Sequence, residues 1–354
     1  MSTTSKAIAD AVPPELLAQV CSAFAEAQHH SAGHRKAVHG LVRLQQSWSE
    51  SPEHEQSFFL AMLHCLHHVL AVRKHEELAG RLMRFFVGFL VRLVEGERGG
   101  NGSGNGSGMR FVENMMLYAL DNVDCKDRQV RARLCQIVVA GVNSVDELSD
   151  AVWELFRAKM TPRLDDREAA VRVHAVHAMA RLQALPVEDG TNQTVLDRFI
   201  DLLQHDPSTD VRRAVLLQID AVTPAAVEAV LSRMRDVDPH IRRLVYTQKL
   251  PEMDVLRLAV EERDLVLKTG LTDRDDAVKR ACVEMVFSHW LPRTNSNLVQ
   301  FLTCLDVVGN RDVADSALHA FFAVLPRLFP ADAFPPAYFE HLTVETAFIL
   351  RAYC

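Results

Sequence analysis

Strand-forming aromatics are scarce in this 354-residue chain, which has four tyrosines and three tryptophans. Ala, Leu, Val and Arg dominate instead and recur at three- and four-residue spacings, so the expectation is an all-α fold. Closely spaced cysteines are missing too. The seven present (Cys21, Cys65, Cys125, Cys135, Cys282, Cys304, Cys354) are odd in number and never closer than ten residues apart. Such scatter gives no disulfide framework and no zinc pair, and it predicts a reducing compartment. No apolar stretch reaches the length of a bilayer span, and Met1 to Pro14 has no charged segment leading into an apolar run, so no membrane partner is expected. Net positive charge is absent as well. At −7 the chain does not coat nucleic acid through overall charge, although a basic stripe on one face stays open.

Catalytic signatures are equally thin. No Ser, Cys or Thr sits in a nucleophile elbow, and no pair of carboxylates stands apart from the Asp and Glu of the turns. Sixteen histidines invite a metal. The best grouping is His64, His67 and His68, but no acidic or Cys pair nearby completes a four-ligand site. His75-Glu76-Glu77 lacks the second His of a metalloprotease helix. The glycine-rich run Gly99 to Gly108 has no strand before it and no Lys-Ser or Lys-Thr after it, so it is no phosphate cradle. The expectation is no enzyme, no cofactor, no metal and no small-molecule substrate.

What the sequence does contain is an internal repeat. A short Asp-containing turn is followed by Val or Ile, then Arg or Lys, then an Ala- or Leu-rich helix. It occurs as Asp127 with Val130-Arg131, Asp165-Asp166 with Val171-Arg172, and Asp206 with Val211-Arg212. It recurs as Asp236 and Asp238 with Ile241-Arg242, as Asp273 and Asp276 with Val278-Lys279, and in worn form at Asp312-Val313. The aliphatic positions are 41, 40, 30, 37 and 35 residues apart, close to the period of two-helix repeats that stack into solenoids. The Asp is expected to cap the second helix of each repeat. The aliphatic residue points into the interface with the neighbouring repeat, and the small Ala175, Ala214 and Ala281 let helices approach. One helix pair cannot bury its apolar face, so consecutive pairs share a core. This predicts an α-solenoid of HEAT repeats, stacked antiparallel helix pairs.

The first helices of these repeats are expected over 152–164, 195–204 and 256–270, with Pro162, Pro186, Pro207, Pro224, Pro239 and Pro251 in turns or near helix starts. Residues 1–98 lack the signature yet hold four amphipathic helices, and are read as an atypical amino-terminal cap. Residues 99–108 are expected to form a flexible Gly/Asn/Ser loop, and residues 109–354 the repeat array. The chain stops at Tyr353-Cys354 within a helical pattern, so a longer native chain is expected, of which this is the amino-terminal part.

The basic residues divide into two sets. The first Arg or Lys of each signature (Arg131, Arg172, Arg212, Arg242, Lys279) reaches the Asp of its own or an adjacent repeat and is assigned to a structural ladder along the turns. The next basic residue has less to do structurally. Arg213, Arg243 and Arg280 follow immediately in three consecutive repeats, with Arg133 one place later in an earlier one. Stacked at roughly 8 to 10 Å, they form a stripe on the scale of phosphate spacing, a solvated ridge, or a dock for an acidic peptide. Arg73-Lys74 and Arg81 with Arg84 add two basic groups in the cap.

Several runs carry a resemblance to a known family. Met160, Arg163-Leu164, Asp166, Val171-Arg172, Ala175-Val176, Ala178 and Arg181-Leu182-Gln183 resemble the corresponding run of the CAP-G family, the HEAT-repeat subunits of condensin also called non-SMC condensin subunit 3. Asp210 to Leu216, Arg242 to Tyr246 and Gly270 to Lys279, ending in Trp290-Leu291, are similar to later repeats of that family. The match runs from about residue 109 to 305, with a further likeness at Leu342 to Ala347. The resemblance implies a non-catalytic condensin subunit that binds the kleisin subunit and double-stranded DNA in a basic groove during mitotic chromosome condensation. It implies SMC ATPase subunits as indirect partners, and a place in the nucleus and on chromosomes with a cytoplasmic pool. Arg73 and Lys74 match the basic pair in the family's first helices that lies near DNA. The other reading is a pure protein-interaction scaffold, like phosphatase or transport adaptors, without DNA binding.

Overall fold

The computed structural model describes residues 8, 10–29, 31–72, 76–99, 106–145, 148–186, 193–305, 307–309, 311–324 and 340–353. Its chain divides into two compact units, Met1–Val195 and Leu196–Cys354. The first unit contains α1 (Pro14–His29), α2 (His34–Ser47), α3 (Pro52–Leu70), α4 (Glu77–Gly99), α5 (Ser107–Asn122), α6 (Arg128–Ser144), α7 (Asp150–Met160) and α8 (Ala169–Met179). The second contains α9 (Val195–His205, from its second residue), α10 (Thr209–Gln218), α11 (Pro224–Ser232), α12 (Pro239–Leu244), α13 (Val260–Leu271), α14 (Asp276–Met285), α15 (Leu298–Thr303), α16 (Arg311–Val324) and α17 (Val344–Tyr353). Among the described residues the only extended pairing is an isolated bridge between Pro186 and Thr194. No helix among them is long and apolar enough to cross a membrane.

Local chemistry sets the helix starts. Ser51 accepts from the His54 amide just ahead of Pro52, and Thr223 accepts from Ala226 just ahead of Pro224. Asp127 accepts from the Gln129 and Val130 amides, Asp238 from His240, and Asp275 from Ala277 and Val278. Each satisfies donors that the first helical turn leaves without partners. The signature aliphatics then turn inward: Val130, Val171, Val211, Ile241, Val278 and Val313 are all buried. In the first unit a chain of aromatic edges joins Phe24, Phe85, Phe86, Phe89, Phe58 and Phe111, tying α1, α3, α4 and α5 into one core. In the second, Gly270 lets α13 approach α14, since a Cβ there would lie 2.5 Å from Cys282 Sγ and 2.8 Å from the Tyr246 ring.

Three expectations change. Of the loop expected over 99–108, Gly99 ends α4 while Ser107 and Gly108 open α5 and are buried, and residues 100–105 lie outside the described residues. Glu97 accepts from the Gly108 and Met109 amides at 2.8 and 3.1 Å, and Gln45 donates to Ser107 Oγ at 3.0 Å. These bonds lie within the first unit, which runs to Val195. The Asp of the signature caps the second helix only at Asp127 and Asp238. Asp166, Asp206, Asp236 and Asp273 lie five residues before the aliphatic position and accept from the amide two residues on, while the capping role belongs to Asp127, Asp238 and Asp275. Pro251, finally, lies inside a helix. α12 passes through a wide π turn, Val245–Lys249, into Leu250–Glu252, and α14 does the same through Val286–Trp290 into Leu291–Arg293. Proline lacks an amide proton and crowds the carbonyl four residues back, and the wider turn relieves both.

Candidate nucleic-acid and peptide interface

The turns of each unit are linked by arginine. In the first, Arg131 donates Nε and a terminal nitrogen to the two oxygens of Asp166, both at 3.0 Å, and its other terminal nitrogen to the Cys125 and Lys126 carbonyls. In the second, Arg212 pairs with Asp236 at 2.8 and 2.9 Å and closes on the Asp206 and Pro207 carbonyls. Arg242 repeats the arrangement with Asp273 at 2.8 and 2.9 Å and the Asp236 and Val237 carbonyls. Each rung thus joins one turn to the next through a planar two-bond fork that lysine cannot form. Arg163 and Arg233 add a second donor, three residues ahead of Asp166 and Asp236. Burial alone would raise these carboxyls, yet the Arg bonds and the turn amides hold Asp166, Asp236 and Asp273 below the usual carboxylate range. Arg172 closes on the Asp166 and Arg167 carbonyls. Lys279 departs from the pattern and bonds Asp276 of its own helix at 3.0 Å on the exposed side.

The candidate nucleic-acid contacts fare differently. Arg213, Arg243 and Arg280 are exposed, each two residues past the buried aliphatic of its repeat. α10 packs on α12 and α12 on α14, so these positions follow one another across adjacent second helices. Arg213 and Arg243 side chains have no hydrogen-bond or ion-pair partner among the described residues, and Arg280 touches only the Asp276 carbonyl of its own helix, at 3.2 Å. Arg84 is exposed. Arg81 is committed to the first unit's fold, donating to the Gln28 and His29 carbonyls at the end of α1 at 2.9 Å and to Glu77. Arg73 and Lys74 lie outside the described residues.

Arg133 is a correction. Its side chain is buried and donates to the carbonyls of Val69, Leu70 and Val72 at 2.9, 3.2 and 2.6 Å. It closes the carboxyl end of α3, whose last carbonyls have no helical partner, and is not available to a phosphate. Sequence reasoning missed several others of this kind: Lys249 on the Ile219 carbonyl at 3.0 Å, Arg163 on Val123, Arg263 on Leu258 and Cys304, and Arg293 on Pro251 and Met253. Much of the basic content of the chain therefore closes helix ends.

The histidine grouping is likewise structural. His67 bonds Tyr118 Oη at 2.6 Å, and burial lowers its pKa, assisted by His64 and His68, whose rings stack edge-on at 4.9 Å. Among the described residues no three His, Cys, Asp or Glu side chains are arranged to hold a metal.

No family model matches the chain. Over 331 residues it is 34% identical to condensin complex subunit 3 of Schizosaccharomyces pombe, covering 93% of this chain and 36% of that protein. The crystal structure of the S. pombe condensin Cnd3-Cnd2 subcomplex superposes with a TM-score of 0.77 at 32% identity, over 94% of this chain and 41% of that one. The chain belongs to the condensin subunit 3 family. Similarity to the human family member is 27% over 315 residues, covering 88% of this chain and 30% of that protein. The chain spans about a third of the length of the curated relatives it matches. The likeness extends to the fold, all-α with stacked helix pairs, and those pairs are the HEAT repeats expected from the sequence.

Proposed function

We propose that the chain contributes to a non-catalytic condensin subunit that holds the kleisin subunit and double-stranded DNA in mitotic chromosome condensation, in the nucleus and on chromosomes. One observation carries the DNA reading. Three consecutive repeats place an exposed arginine at the same register, Arg213, Arg243 and Arg280, while the neighbouring Arg212, Arg242 and Lys249 are committed to a rung or a helix end. Charge left outside the fold's own bonding, at a repeat spacing, suits a phosphate backbone and makes affinity salt-steep and indifferent to sequence. The kleisin reading draws on the similar solved structure, a subcomplex of Cnd3 with Cnd2. SMC subunits would be reached through the kleisin. Arg84, with Arg73-Lys74, adds a second basic group.

The test is duplex affinity across a salt series, with and without the kleisin chain. Arg213→Glu, Arg243→Glu and Arg280→Glu together should weaken binding at every salt concentration and flatten the logarithmic salt slope by about 2 to 3, roughly one per lost phosphate contact. An unchanged slope overturns the stripe. The same comparison for Arg73→Glu with Lys74→Glu tests the cap pair. Kleisin binding with no DNA affinity at any salt would favour the pure protein scaffold.

A further inference from the structure

Scattered as they are in sequence, two cysteines meet in the fold. Cys21 on α1 and Cys65 on α3 place their Sγ atoms 3.6 Å apart. Among the described residues this is the one pair of thiols in contact. We propose that Cys21 and Cys65 form an oxidant-sensitive dithiol, a modification site that peroxide-class oxidants convert to a disulfide joining α1 to α3.

The environment divides the work between the two sulfurs. Cys21 is exposed and Cys65 is 7% exposed, so oxidant reaches Cys21 first. Burial, with the neighbouring Cys21, raises the Cys65 pKa and keeps that group a neutral thiol until it reacts. The Cys21 thiolate attacks one oxygen of hydrogen peroxide; the O–O bond breaks, the departing hydroxide takes up a proton as water, and Cys21 becomes a sulfenic acid. Cys65 sulfur then attacks the Cys21 sulfur. An S–S bond forms, the S–O bond breaks, and the departing hydroxide leaves as a second water with the Cys65 proton. The two sulfurs give up two electrons, and peroxide takes them. The sulfurs must close from 3.6 Å to about 2.05 Å for the bond to form. Because α1 and α3 already pack together, the cross-link fixes a contact the reduced fold makes.

The experiment treats the full chain with hydrogen peroxide, blocks remaining thiols with N-ethylmaleimide, and maps peptides by mass spectrometry. The expected result is a reducible link between the Cys21 and Cys65 peptides, with a rise in Tm that dithiothreitol reverses. Cys65→Ser should stop the reaction at a Cys21 sulfenic acid that dimedone traps, and Cys21→Ser should leave Cys65 unoxidised over the same time. Circular dichroism of both variants checks that they fold. Progression of Cys21 to sulfinic acid in the unsubstituted chain without a link overturns the proposal. So does a link from Cys21 to any other cysteine, or resistance of both thiols to peroxide.

Discussion

Replacing Arg242 with Met tests the rungs most directly. The residue is 4% exposed, and its guanidinium makes two bonds to Asp273, at 2.8 and 2.9 Å, and two to the Asp236 and Val237 carbonyls, at 2.9 and 3.3 Å. Met keeps most of the aliphatic stem and removes all four. It leaves the Asp273 carboxylate, 6% exposed, with the Asp275 amide and the nearby charge of Arg274 to stabilise it. Breaking a buried, hydrogen-bonded ion pair from one side costs ~3–5 kcal/mol, most of it for the charge left behind. Asp273→Asn keeps an acceptor but loses the charge and should cost less, ~1.5–3 kcal/mol. The double variant should then be less than additive by ~1.5 kcal/mol or more. The assay is urea unfolding followed by fluorescence of Trp290, fully buried in the second unit, with Trp48 and Trp153 of the first unit changed to Phe. Arg213→Met, at an exposed position with no partner to lose, should leave the midpoint almost unmoved. A loss below ~1 kcal/mol for Arg242→Met, the size of an ordinary point substitution, refutes the rung as a stabilising link.

Acid should loosen the two kinds of site in different windows. Burial lowers the pKa of His67, His177 and His174, the last to about 4. A histidine depressed in the fold contributes stability above its unfolded value of about 6.5 and loses it as pH falls toward the folded value. The first unit should therefore weaken between about pH 6.5 and 4, and His174→Gln should remove part of that slope; an unchanged Tm profile for the variant refutes the assignment. The depressed Asp166, Asp236 and Asp273 keep their rungs intact above about pH 4, and their contribution should fade only below it. Arg133→Leu strips the donor from three carbonyls at the end of α3 and should cost ~2–4 kcal/mol in unfolding of the first unit. In a folded preparation it should leave the DNA salt slope unchanged, and a flattened slope would return Arg133 to the interface.

Much of the repeat was legible because a solenoid writes its packing locally. The aliphatic positions 130, 171, 211, 241 and 278 all turned inward, and the Arg beside each of the first four reached turn carbonyls. Arg133 was legible too, had helical register been applied. It stands three residues past Val130 and shares its inward face, whereas Arg213, Arg243 and Arg280 stand two past their aliphatics and point away. The division of labour between the outer and capping Asp was obscured because both lie within a few residues and the spacing alone does not rank them. Pro251 reads as lying in a turn or near a helix start because proline alone does not tell a break from a π turn, and the Leu-Pro step 41 residues on, at Pro292, meets the same adjustment. Nothing local could announce that Lys249 finds the Ile219 carbonyl or Cys21 finds Cys65. Those meetings depend on which helices stack.

The rungs also make the array countable. Arg212 and Arg242 sit at the same offset from their own turn carbonyls, and each hands its charge to the Asp of the turn after it. Excising residues 212–241 would seat Arg242 directly behind Val211, with the Asp206 and Pro207 carbonyls in place of Asp236 and Val237 and with Asp273 still next in line. Cation and anion leave together, so no buried charge is stranded. A cut that does not run from one signature position to the same position of another repeat separates an arginine from its turn or a carboxylate from its donor. Length in such a chain is tolerated in whole repeats and resisted in fractions, which gives the binding face a natural unit of growth.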